Sequence, residues 1–226
     1  MNANDEPCLA IFDHDGVLVD SFDLHLESWL ELGRKTGLPF THEFIHDTFG
    51  MTNPSIFQRL LGDAAPSPQE IARYGDLKEE CYREIARSQI SLMPGVLELL
   101  DRLKERGVVL AIGSSAPLAN LELTLDVCGV KEHFTAISSL EDITHGKPNP
   151  EVFLVAARKA GIAPRRAMVF EDAVVGIQAA KAAGMLAVGV GTTKPLDQLH
   201  AVGADHTVVN LVEFQIDPWI ERLRLS

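Results

Sequence analysis

Apolar and polar positions follow two rhythms along most of this chain. Short apolar runs at Cys8–Phe12, Val108–Ile112, Ala167–Phe170, Leu186–Val190 and Thr207–Val209 have the length of buried strands. Between them, Gly95–Glu105, Pro117–Val127, Pro150–Ala160 and Val174–Ala183 repeat apolar residues three and four apart, as a helix with one buried face does. Pro150 suits a first helical turn, and Gly107, Gly129, Gly161 and Gly184 suit helix ends. This alternation predicts an α/β fold, a Rossmann-like, mostly parallel sheet covered by helices on both faces. Reactive groups in such sheets collect at the carboxyl ends of the strands.

One stretch breaks the rhythm. From Asp20 to about Gln89 no strand pattern occurs, and helical periods cover Asp20–Thr36, Thr41–Thr48, Pro54–Leu61 and Pro68–Ser88. The expected organisation is therefore a core of residues 1–19 and 91–226 with a helical cap, residues 20–90, inserted after the first strand. An insert entered and left at the active rim is suited to act as a lid that excludes water.

Composition narrows the partners. The chain has 226 residues, 46% of them apolar, enough for a full core. Its net charge of −12 and lack of a basic run argue against nucleic acid or anionic membrane as partners. No run reaches the length of a membrane span, and Met1 to Pro7 is too polar for a secretory signal. Cys8, Cys81 and Cys128 are odd in number and unpaired by spacing, as in a reducing cytoplasmic compartment, and Cys8 and Cys128 have the apolar surroundings of buried thiols. A monomer or weak dimer is expected.

Four fragments carry the chemistry: Phe12-Asp13-His14-Asp15-Gly16-Val17, Ile112-Gly113-Ser114-Ser115, Gly146-Lys147-Pro148-Asn149-Pro150 and Phe170-Glu171-Asp172. Crowded carboxylates repel unless protons or a cation lie between them, which points to a hard ion such as Mg²⁺. A phosphorylated substrate meets a negative protein overall, so its attraction must be local. Asp13 has the chemistry of a nucleophile that takes a phosphoryl group. Asp15, two residues on, suits the general acid that protonates the leaving oxygen and the base that then deprotonates water. Ser114 suits a donor to a phosphoryl oxygen, with Ser115 beside it, although a serine before a helix also serves as a cap. Lys147, on a loop stiffened by proline, suits the charge that offsets the phosphoryl group and keeps Asp13 ionised. Asp13, Glu171 and Asp172, with the backbone carbonyl of Asp15, make up the expected metal shell.

With these motifs the chain resembles the haloacid dehalogenase superfamily, in the subgroup with a helical cap between the first and second motifs. Within it the chain is similar to the branch of β-phosphoglucomutases, phosphoglycolate phosphatases and small sugar phosphatases. The resemblance implies Mg²⁺ dependence and the roles just given for Asp13, Asp15, Ser114, Lys147, Glu171 and Asp172. An acid at Asp15 implies phosphate ester chemistry rather than dehalogenation. His25 stands where the mutases carry a histidine that assists the acid/base aspartate, but it also borders the apolar stripe of Phe22, Leu26, Trp29 and Leu30, and packing explains it equally well. The mutases hold a second phosphate with a lysine and an arginine in a cap loop. The matching stretch here, Phe49-Gly50-Met51-Thr52-Asn53, has neither. Phe49, Gly50 and Asn53 are then candidates for shaping substrate choice, with packing of the cap as the alternative. A Mg²⁺-dependent phosphatase of small phosphorylated sugars or polyols is the expected function. Its rivals are a β-phosphoglucomutase and a non-catalytic binding protein.

Overall fold

The structure is a computed structural model that describes residues 7–48 and 51–225. Phe49 and Gly50 of the cap loop lie outside these described residues. The chain divides into two compact units, residues 1–20 with 91–226, and Ser21–Ile90.

The first unit is built on a six-stranded sheet, with strands β1 (Leu9–Phe12), β2 (Val109–Gly113), β3 (Ala136–Ser138), β4 (Ala167–Glu171), β5 (Leu186–Val190) and β6 (His206–Val208). They lie in the order β3-β2-β1-β4-β5-β6, and every pairing is parallel. The chain runs outward from β1 to β3, returns, and runs outward again on the other side from β4. The reversal lies between β1 and β4, where doubly wound sheets open a crevice for ligands.

Alternation of side chains across the strands fills both faces. Leu9 and Ile11 join Val152, Phe153 and Ile177 in one core cluster. Phe12 instead stacks on Phe170 at 4.6 Å and meets Phe134 edge-on. Full burial of each such ring contributes roughly 1.5–3 kcal/mol.

The helical unit holds α1 (Phe22–Thr36), α2 (His42–Thr48), α3 (Asn53–Leu61) and α4 (Pro68–Gln89). A capping box starts α4: the Ser67 hydroxyl accepts from the Glu70 amide while the Glu70 carboxylate takes the Ser67 amide. The apolar stripe of α1 closes against the other helices through Trp29, Phe40 and Phe57.

Helices α5 (Val96–Glu105), α6 (Leu118–Val127), α7 (Glu151–Ala160) and α8 (Val174–Ala182) follow the expected periods within a residue or two. In α5 the buried positions are Val96, Leu99, Leu100 and Leu103, one face of a helix. Three elements went unforeseen: β3, α9 (Leu196–Ala201) and α10 (Asp217–Arg224). Strand β3 has three residues and α9 six, too short to display a period. One expectation on the thiols needs correcting. Cys8 and Cys81 are buried, but Cys128 is only half-buried, because it closes the exposed end of α6 just before the turn at Gly129.

Candidate active site

Parallel register sets the site. Phe12 pairs with Ile112 of β2 and Phe170 of β4, so Asp13, Gly113-Ser114 and Glu171-Asp172 leave the sheet at one level. The Asp13 amide still donates to the Phe170 carbonyl at 3.0 Å, continuing the ladder one residue past β1. Glu171 is not beyond the strand, as expected, but its last residue.

Lys147 reaches this edge from the loop before α7. The Glu151 carboxylate in the first turn of that helix accepts the amides of Thr144 and His145 at 3.0 and 2.8 Å, which fixes the loop. From there the Lys147 ammonium contacts Asp13 Oδ2 at 2.9 Å and Glu171 Oε1 at 2.5 Å. Its side chain is 9% exposed. Burial works against the ammonium most strongly, but the charges of Asp13 and Glu171 outweigh it and raise the lysine pKa above its usual value.

The carboxyls respond in the opposite sense. Burial pushes Glu171 up to about 8, against the pull of Lys147 and with further push from Asp13 and Asp172. Asp172 is pushed up to about 6, chiefly by burial and by the Asp13 charge. Asp13, Glu171 and Asp172 each bring a carboxylate oxygen within 4.8 Å of the others. Asp13 Oδ1 is buried and has no hydrogen-bond partner among the described residues. An orphaned carboxylate oxygen in an all-oxygen, over-charged cluster fits a hard divalent cation, and these three residues could hold one.

Two glycines leave room for the acids. A Cβ on Gly16 would collide with the Asp172 carboxylate, and a Cβ on Gly176 would fall on that of Glu171. Gly16 also has φ +75°, a conformation that favours glycine.

Asp15 is placed differently from the other acids. Its carboxylate is not gathered with those three but accepts from His14 Nδ1 at 3.0 Å, and its side chain is 37% exposed. A fourth carboxylate would deepen the repulsion, whereas the imidazole offers a charge-assisted bond. Ser114 is buried at the end of β2, its hydroxyl accepting the Ala116 amide at 3.1 Å. That bond lies in the turn before α6, whose N-cap position is Pro117, so Ser114 does not cap the helix, and its hydroxyl proton is left available to donate. Ser115 is exposed.

The candidates from the helical unit are occupied locally. His25 Nδ1 lies 2.7 Å from Lys78 Nζ, and its ring stacks on Tyr82 at 4.3 Å. Asn53 opens α3 with its amide over Gly75 of α4.

Sequence reading missed His14, Thr124, Thr192 and Thr193. His14 is buried, and its Nε2 lies 2.8 Å from Thr124 Oγ1 on α6. Burial opposes its imidazolium most, yet Asp15, by charge and hydrogen bond, and the Asp13 charge raise its pKa overall. Thr192 donates to the Gly16 carbonyl at 2.5 Å. Thr193 donates to the Asp172 carboxylate and, at 3.1 Å, to its carbonyl. Both threonines lie just past β5, which ends at Val190, with Gly191 between. The rule that pointed to Ser114, a hydroxyl just past a strand end, would have found them.

A model of haloacid dehalogenase-like hydrolases matches residues 10–190. The chain belongs to that family. Hexitol phosphatase B of Escherichia coli (strain K12) is 32% identical to this hydrolase over 213 residues, 90% of this chain and 92% of the relative. Beta-phosphoglucomutase of Bacillus subtilis (strain 168) is 30% identical over 204 residues, 88% of this chain and 87% of the relative. A family IA, variant 3 hydrolase from Entamoeba histolytica superposes with a TM-score of 0.84 at 25% identity, covering 97% of this chain and all of that one. The hydrolase is an enzyme of the phosphoric monoester hydrolase kind.

Proposed function

We propose that this hydrolase is a Mg²⁺-dependent phosphatase of small phosphorylated sugars or polyols, working through a phosphoryl group carried on Asp13. The observation that carries the reading is the state of Asp13: one carboxylate oxygen held by Lys147 at 2.9 Å, the other buried and without a partner. A buried, oriented carboxylate is a competent nucleophile, and Lys147 holds one of its oxygens in place.

The Asp13 carboxylate attacks phosphorus as the ester P–O bond breaks, and the departing oxygen takes the proton of Asp15. Asp15, now a base, removes a proton from a water that attacks the phosphorylated Asp13. Inorganic phosphate leaves and both carboxyls return to their starting states. Ser114, Ser115 and Lys147 hold the phosphoryl oxygens. Asp13, Glu171, Asp172 and the carbonyl of Asp15 would hold Mg²⁺, which supplies neutralising charge for the phosphoryl group. For residues 20–90 the proposed role is that of a lid that excludes bulk water, with His25, Phe49, Gly50 and Asn53 the candidates for contact with the non-reacting part of the ester.

The likeness to hexitol phosphatase B supports a sugar or polyol ester as substrate. Hydrolysis is favoured over mutase chemistry because residues 49–53 carry no cation to grip a second phosphate. A reducing, cytoplasmic setting fits the free thiols of Cys8, Cys81 and Cys128. No helix among the described residues is long and apolar enough to cross a membrane.

The test is release of phosphate from p-nitrophenyl phosphate and from a panel of sugar and polyol phosphates with Mg²⁺. Asp13→Asn is expected to lower release at least about 10³-fold, the scale of losing a nucleophile. Interconversion of hexose 1- and 6-phosphates with little free phosphate would replace this reading by the mutase one. No turnover at all would replace it by the binding one.

A further inference from the structure

A histidine between the two working aspartates needs a reason to be there. His14 is 1% exposed, and burying an imidazole is costly unless both ring nitrogens are bonded. An apolar side chain of similar size would pack there without that requirement. Nor does the turn need the ring. The His14 carbonyl already receives the amides of Leu18 and Val19 at 3.0 and 3.2 Å, and the Gly16 amide donates to the Val19 carbonyl at 2.8 Å. The backbone of the motif is thus pinned independently of the imidazole.

What the ring adds is a side-chain chain of three members. Thr124 of α6, 110 residues away, meets His14 Nε2 at 2.8 Å, and His14 Nδ1 meets Asp15 Oδ1 at 3.0 Å. The Asp15 side chain is 37% exposed while its anchor is buried. One end of the chain is rigid core, and the other is the carboxyl that must face the leaving oxygen.

We propose that His14, braced by Thr124, is a positioning residue that fixes the Asp15 carboxylate for proton transfer to the leaving group. The inference rests on the role given to Asp15 above. A general acid acts only within a narrow range of distance and direction, and a positioned acid contributes about 10²–10⁴-fold. In this role the ring acts through Asp15, whose Oδ1 lies 3.0 Å from its Nδ1.

The test uses the full chain with Mg²⁺ and compares kcat/KM for phenyl phosphate, whose leaving oxygen needs a proton, with that for 2,4-dinitrophenyl phosphate, whose leaving oxygen does not. In His14→Phe, which keeps the aromatic volume, phenyl phosphate should lose about 10²-fold and the dinitrophenyl ester far less. Thr124→Val should show the same selective loss at about tenfold. His14→Asn, whose amide nitrogen takes the place of Nδ1, should recover part of it. An equal loss for both esters in folded His14→Phe or Thr124→Val would make the histidine merely structural and overturn the proposal. Should His14→Phe not fold, Thr124→Val decides. If Asp13→Asn still turned over the dinitrophenyl ester, the aspartyl-phosphate reading itself would fall, a result distinct from either of these.

Discussion

Lys147 and Lys78 are both enclosed, with side chains 9% and 7% exposed, but what encloses them differs. Lys78, in the helical unit, meets Glu79 at 2.9 Å, His25 at 2.7 Å, and the rings of Trp29 and Tyr82 at 5.8 and 5.6 Å. One cation faces one carboxylate and three polarisable rings, and the charge closes on itself. Lys147 stands among Asp13, Glu171 and Asp172, bonded to the first two, with Phe153 at 5.0 Å. There one cation faces three acids. The surplus appears as the raised pKa values of Glu171 and Asp172 and as the partnerless oxygen of Asp13. Balanced burial in one unit makes structure; the imbalance in the other leaves an acidic cluster that could hold a cation.

The same substitution at both lysines tests this contrast most strongly. Lys147→Met should lower kcat for p-nitrophenyl phosphate by about 10²–10³-fold. It should also cost the metal-free protein about 3–5 kcal/mol in urea unfolding, since buried carboxylates lose their partner. Mg²⁺ should recover much of that stability. A metal-free variant as stable as the parent would break the comparison.

A titration is expected to show the next largest effect. Glu171 and Asp172 hold protons more tightly folded than unfolded, with folded values of about 8 and about 6. Their contribution is therefore complete below the unfolded values, near 4, and is lost as pH rises through about 6 and then about 8. Without divalent cation, Tm should fall between pH 6 and 8.5, and Mg²⁺ should remove the fall. A metal-free Tm that rises across that interval would sink the account of crowded acids.

Lys78→Met should have the smallest effect, under about 1 kcal/mol in urea unfolding. Methionine can fill the same space between the rings of Trp29 and Tyr82, and Glu79, 25% exposed, can turn to water. A loss as large as that of Lys147→Met would erase the distinction between the two lysines.

These charge patterns were only partly visible in the sequence. The central strands were legible because burial on both faces makes Leu9–Phe12 and Ala167–Phe170 unbroken apolar runs. Asp13, Glu171 and Asp172 were legible because charges beside such runs have no packing explanation, and Lys147 because a glycine and two prolines stiffen the loop that carries it. β3 was not, since three residues at a sheet edge carry no pattern. The bond from His14 to Thr124 was not either, because 110 residues separate them and only the packing of α6 brings them together. The contact of His25 with Lys78 was not legible either, because 53 residues separate them.

Gly176 closes a route that protein engineers commonly take. Replacing a helical glycine with alanine ordinarily stabilises a protein by roughly 0.4–1 kcal/mol. Here, in the opening turn of α8, the added methyl would occupy the volume already filled by the Glu171 carboxylate. A screen for heat-tolerant variants that admitted alanine at this position would be selecting, unknowingly, for an enzyme whose Glu171 carboxylate had been displaced.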